Sequence, residues 1–274
     1  MVKGEESNYQ KVKSNFIVEV LIIKVGGKMT IEEFFKRANE GDVDAIIYFG
    51  DMCTADDVNP DTIKQALTWY ERAAELGSAE GAMRVINLRT IQGILCEELN
   101  DFKGALKEYD IALFWAGKIL KMQDVPENVM SSARKEYADN QYRVAYSYYF
   151  LEEYFTARMY VESIEDDNFN IILLRGLCEY DLAKEEADWN RAYLYLSSIE
   201  KQLLCFKFSK QPGIREQVLL VKGYIFLSQM YGSGTGGATK DLVRAKNLLV
   251  AAYQTGLDDD LKEDIIAEEL KRYC

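Results

Sequence analysis

From residue 30 onward, apolar side chains recur three and four positions apart, the signature of helices that bury one face. A short motif punctuates that pattern: an acidic residue, a bulky one, two variable positions and an alanine. It reads Asp101-Phe102-Lys103-Gly104-Ala105, Glu153-Tyr154-Phe155-Thr156-Ala157, Asp188-Trp189-Asn190-Arg191-Ala192 and Asp241-Leu242-Val243-Arg244-Ala245, with a copy stretched by one residue from Asp61 to Ala66. Recurrence at tens of residues predicts stacked helix pairs, each unable to bury its apolar face alone. Alanines 66 and 73 lie two turns apart on one face with Tyr70 between them. Ala105, Tyr109 and Ala112 repeat the arrangement, as do Ala245, Leu249 and Ala252, whereas Ile164 and Ile199 take the second alanine's place in the middle copies. Small residues there let the two helices of a hairpin approach closely while the larger one fills the gap. Gly77 and Gly256 fall where a helix C-cap needs a positive φ.

The order Gly41-Asp42, Ala45, Phe49-Gly50, Asp61, Ala66, Trp69-Tyr70, Ala73-Ala74, Gly77 resembles the Sel1-like branch of the tetratricopeptide repeat family. The last copy is similar, with Met230-Tyr231, a glycine loop at 232–237, Lys240-Asp241, Ala245, Ala251-Ala252 and Gly256. The resemblance covers about residues 30 to 256 and is strongest at its two ends. It implies an all-α fold: a right-handed α-α superhelical solenoid of about five TPR/Sel1-like helix hairpins. Residues 258–274, acidic at Asp258-Asp259-Asp260 and basic at Lys271-Arg272, predict a C-terminal closing helix whose charges oppose its dipole. The expected organisation is one repeat domain over residues 30–274.

Residues 1–28 depart from this pattern. Phe16 to Val25 is β-branched, too short to span a bilayer and interrupted by Glu19. Gly26-Gly27-Lys28 lacks the preceding glycine and following Ser or Thr of a phosphate loop, and makes a poor signal-peptide cleavage site. Gly26-Gly27-Lys28-Met29 is also what a bacterial ribosome-binding site and start codon would encode when translated. Residues 1–28 are therefore expected to be either a leader ahead of a true start at Met29 or a short arm that pairs with something. The intact mass of the natively expressed protein separates the two.

Composition narrows the chemistry. With 45 acidic against 33 basic residues the formal net charge is -12, which argues against nucleic-acid binding. The sequence has no histidine, so mechanisms that need an imidazole base are excluded and a transition-metal site is not expected. Its five cysteines are scattered, without a Cys-x-x-Cys pair, as in a reducing compartment. A cytoplasmic bacterial protein is expected, with no cofactor and no membrane segment. The glycine loop at 232–237 follows no strand and ends without a P-loop lysine, so it is expected to join helices and not to hold phosphate. Asp56-Asp57 and Asp258 to Asp260 match no calcium-loop spacing and read as solvated helix starts and loops.

The resemblance implies that first helices line a concave groove that holds a protein or peptide without catalysis. Tyr142, Tyr146 and Tyr149 form a stripe at helical spacing beside Phe150, and Asn87 and Thr90 take matching places one hairpin earlier. These six are the candidate binding residues, since tyrosine offers wide contact with few rotors. The competing expectation for the stripe is packing against a neighbouring hairpin. Trp69, Trp115 and Trp189 are expected in the core. A peptide-sensing regulator, a histidine-free enzyme and a purely structural subunit are the alternative functions.

Overall fold

The computed structural model describes residues 30–55, 59–205, 214–254 and 265–273. The expectations for residues 1–28, Met29, Asp56-Asp57, Gly256 and Asp258 to Asp260 lie outside them. Among the described residues every regular element is helical. In chain order they are α1 (Ile31–Asn39), α2 (Val43–Cys53), α3 (Pro60–Glu75), α4 (Ala79–Glu98), α5 (Phe102–Ile119) and α6 (Glu127–Phe150). There follow α7 (Tyr154–Glu162), α8 (Phe169–Leu182), α9 (Glu186–Ser198), α10 (Glu200–Cys205), α11 (Ile214–Ser233), α12 (Leu242–Tyr253), α13 (Ala267–Leu270) and a closing 3-10 turn, Lys271–Tyr273. The chain divides into two compact units, Met1–Ile91 with Phe114–Arg134, and Gln92–Leu113 with Lys135–Cys274.

Local chemistry sets the helix ends. Thr30 and Glu33 form a reciprocal capping box at α1, each side chain accepting the other's backbone N–H at 3.2 and 3.0 Å. The acidic residue of the recurring motif is the cap of the second helix in two copies. Asp101 accepts the Gly104 amide at 2.8 Å, and Asp241 accepts that of Arg244 at 2.9 Å. Such a cap stabilises its helix by about 1 kcal/mol. In α9 the helix starts three residues earlier, so Asp188 sits inside the first turn and reaches back to the amides of Lys184 and Glu185. Glu153 heads α7 without a side-chain capping bond. Gly77 takes the positive φ of 90° expected after α3.

Packing follows the alanine register. Ala66, Ala105, Ala157, Ala192 and Ala245 are all fully buried, and the residues four further on, Tyr70, Tyr109, Val161, Leu196 and Leu249, are buried with them. In the first unit α2 packs on α1 and α3. A Cβ at Gly50 of α2 would stand 2.3 Å from the Tyr70 ring, so the two helices close only because that position lacks a side chain. In the second unit Gly93 meets Tyr109 at the same distance, and Gly176 of α8 meets Leu196 of α9 at 2.7 Å. There α8 packs between α7 and α9 and also against α11, which pairs with α12. One apolar cluster joins these helices, from Phe102 and Tyr149 to Leu248 and Ile266.

Candidate functional site

Of the six residues singled out by sequence, two lie in the first unit and four in the second. Asn87 is exposed and Thr90 half-buried, both on the first unit's part of α4. In the second unit Tyr146 and Tyr149 are buried, at 7% and 2% exposure, while Tyr142 and Phe150 are partly covered. Tyr146 and Tyr149 thus pack in the core, as the competing expectation had it, while Tyr142 and Phe150 keep part of their surface exposed. The cause is that α6 is covered on more than one side. Phe150 stacks on Phe102 with centroids 5.3 Å apart, and Tyr149 is tilted against Tyr154 at 5.2 Å. Tyr148, next to Tyr149 in α6, is half-buried and stacks on Tyr160 at 5.7 Å. Trp115 is buried as expected, whereas Trp69 and Trp189 are half-buried.

Tyr149 instead anchors a seam that crosses three first helices of the second unit. Its hydroxyl donates to Asp181 of α8, and Lys222 of α11 donates to the same hydroxyl at 3.0 Å. The Lys222 ammonium lies 4.7 Å over the Tyr149 ring and 3.9 Å from Asp181. Next to Asp181, Tyr180 stacks flat on Phe226 at 3.7 Å and donates to Gln229 Oε1 at 2.5 Å. The Gln229 amide then donates to Glu269 at 3.0 Å, and Arg272 closes the row on Glu269 at 3.1 Å. Lys222, Asp181, Tyr180, Phe226 and Gln229 are all half-buried, so the seam presents part of each to solvent.

Electrostatics mark the same place. Burial raises the Asp181 carboxyl above its ordinary value, against the lowering pull of the Tyr149 hydroxyl and the Lys222 ammonium. Burial first, and then the Asp181 charge, pushes the Tyr180 hydroxyl up to about 12. The neighbouring Cys178 thiol is buried and likewise raised, chiefly by desolvation, so it is held as an inert thiol.

The other buried carboxylates are occupied by partners. Glu179 lies between Arg158 at 3.6 Å and Arg191 at 3.1 Å; Glu200 receives Arg244 at 2.6 Å and the Tyr231 hydroxyl at 2.7 Å. Glu97 accepts from Ser147 at 3.2 Å and faces Arg143 at 3.5 Å. Each of these ion pairs ties one helix to another. Among the described residues no three His, Cys, Asp or Glu side chains gather as a metal-holding group, and no helix is long and apolar enough to cross a membrane.

The glycine loop is a structural joint. The Gly236 amide donates to Glu186 at 2.9 Å, and a Cβ at Gly236 would stand 2.6 Å from the Trp189 carbonyl oxygen. The Gly234 and Thr235 amides donate back to the Met230 carbonyl of α11 at 2.8 and 3.2 Å, so the amides at 234–236 are all engaged within the protein.

Sequence reasoning found Tyr149 but missed its partners. Asp181 shares α8 with Arg175 and Glu179, and Lys222 and Gln229 share α11 with Gln217 and Ser228, and nothing in these segments says which helix each polar residue will meet. A polar residue inside an apolar run is the one available signal.

No family model matches this chain, and no curated protein does. Two solved structures are similar to it. One is a protective antigen of uropathogenic Escherichia coli strains with an SLR fold, 14% identical over 96% of this chain and 72% of that one, with a TM-score of 0.26. The other is a Sel1 repeat protein from Oxalobacter formigenes, 14% identical over 89% of this chain and 91% of that one, with a TM-score of 0.22.

Proposed function

We propose that this chain is a non-catalytic scaffold of helix hairpins that holds a protein or peptide along the seam of its second unit. The observation that carries the proposal is the half-buried row of charge and aromatic surface on α8 and α11, held from beneath by Tyr149 of α6. An extended peptide laid over it would meet a stacked plate, Tyr180 on Phe226, between a cation at Lys222 and another at Arg272. Aromatic plates flanked by polar groups give contact area at low entropic cost, which is the usual make-up of a binding hot spot. The stripe residue Tyr149 acts in this picture by holding Lys222 in place. Asn87 and Thr90 belong to the first unit and are not part of this seam.

The absence of histidine and the pairing of buried carboxylates with arginine or tyrosine support the non-catalytic part. Residence in a reducing compartment is part of the same proposal, supported by the four free, scattered thiols among the described residues. The test is capture of a partner from the source lysate by the full chain and by a Lys222→Ala, Phe226→Ala variant of unchanged helicity. A partner held by the first and lost by the second supports the seam. One retained equally by both removes the seam from the function.

A further inference from the structure

The outer face of α7 carries a second surface with its own chemistry. Phe155 and Met159 are each 58% exposed and lie four residues apart, so they are neighbours on the side away from the fully buried Ala157. α7 packs on α8 through its other side, where Ala157 and Val161 are buried. Exposed carboxylates bracket the pair: Glu152 and Glu153 before the helix, Glu162 at its last position, and Glu165 and Asp166 after it. The one basic residue of the helix is Arg158. Its guanidinium sits 5.2 Å over the Phe155 ring and 3.6 Å from the buried Glu179, so its charge is met from inside the protein.

Two apolar anchors a turn apart between acidic ends define a complement. The partner must offer apolar side chains at i and i+4 on one helical face and Lys or Arg at both ends of that face. An anionic membrane surface would be repelled by the same carboxylates, and a second copy of this acidic chain would bring like charge to like. We infer that the outer face of α7 docks a basic amphipathic helix of a partner protein. This surface lies on a second helix and is separate from the seam of first helices.

The probe is a phage-displayed random peptide library panned on the full chain, with recovered peptides titrated by fluorescence anisotropy. Three variants are compared: Phe155→Ser with Met159→Ser, Glu152→Gln with Glu162→Gln, and the Lys222→Ala, Phe226→Ala seam variant. The expected peptides are rich in Lys and Arg, with apolar residues at i and i+4. Their affinity falls at least tenfold on the apolar double variant. On the charge variant it falls less, and its salt dependence flattens. On the seam variant it is unchanged. Peptides that depend on the seam and not on α7 overturn this inference and leave the proposed function standing. A library that yields no binder removes both. Sedimentation supplies a further overturning outcome: a wild-type dimer that the apolar double variant dissociates would mean a second copy covers the face.

Discussion

In the hairpin of α2 and α3, the side chain that lands on the first helix's glycine is Tyr70; in the hairpin of α8 and α9 it is Leu196. The backbones approach in the same way, but the polar consequences differ. The Tyr70 hydroxyl extends past Gly50 and donates to Asp51 at 2.6 Å, where Arg84 also arrives at 3.4 Å. Leucine has no such tip. Between α8 and α9 the tie is made by charge, with Arg191 of α9 reaching the buried Glu179 of α8 and Arg158 of α7 joining from the other side. One hairpin is latched by a buried hydroxyl on a half-exposed carboxylate, the other by a buried carboxylate on a half-exposed guanidinium. A single packing rule thus admits two polar solutions, and they differ in how much is lost when one is broken.

The sharpest way to expose that difference is to delete each acceptor. Glu179→Ala takes the carboxylate from Arg158, whereas the half-exposed Arg191 keeps Asp188 at 2.7 Å; the expected cost is about 2 kcal/mol in urea denaturation. Asp51→Ala, at a half-exposed site, is expected to cost about 1 kcal/mol. Equal losses would mean the two latches are equivalent. Filling the glycines comes next. Gly50→Ala should destabilise by about 2 kcal/mol, since a rigid ring must move, even after the helix-propensity gain. Gly176→Ala should cost less, because the contacting atoms are the end of a leucine that can change rotamer. Tyr70→Phe keeps the ring and removes the hydroxyl; a loss of about 1 kcal/mol with unchanged cooperativity is expected.

The smallest effect separates the units by pH. At Asp42 burial raises the carboxyl, but the Ala45 amide and the Arg37 guanidinium outweigh it and hold the group below its ordinary value. Stability from Asp42 is therefore present at neutral pH and lost as pH falls through that lowered value. Asp181, raised by burial, works in the opposite sense: its contribution is full at acid pH and is lost as pH rises through its folded value. In melting temperature against pH, Asp42→Asn should remove a loss at the acid end, whereas Asp181→Asn should remove a decline on the way to neutral. Parallel curves for both variants would break the contrast.

Much of the hairpin plan was legible in the chain. Every alanine of the motif is buried, and Thr30, Asp101 and Asp241 cap where a capping residue precedes an apolar run. These are local signals, carried by one segment at a time. The candidate site was less legible because burial depends on neighbours. The stripe of Tyr142, Tyr146 and Tyr149 has the right spacing for either a groove or a core, and the choice was made by Asp181, thirty-two residues after Tyr149. Likewise Lys222 reads as a solvated lysine until α11 is placed against α8.

The Gln229 amide is oriented by both its neighbours, accepting from Tyr180 and donating to Glu269. In the terms of sequence drift this makes position 229 a valve. Glutamate there would set two carboxylates face to face, and asparagine would fall a methylene short. A descendant of this chain that loses Gln229 should therefore have changed Glu269 or Tyr180 first.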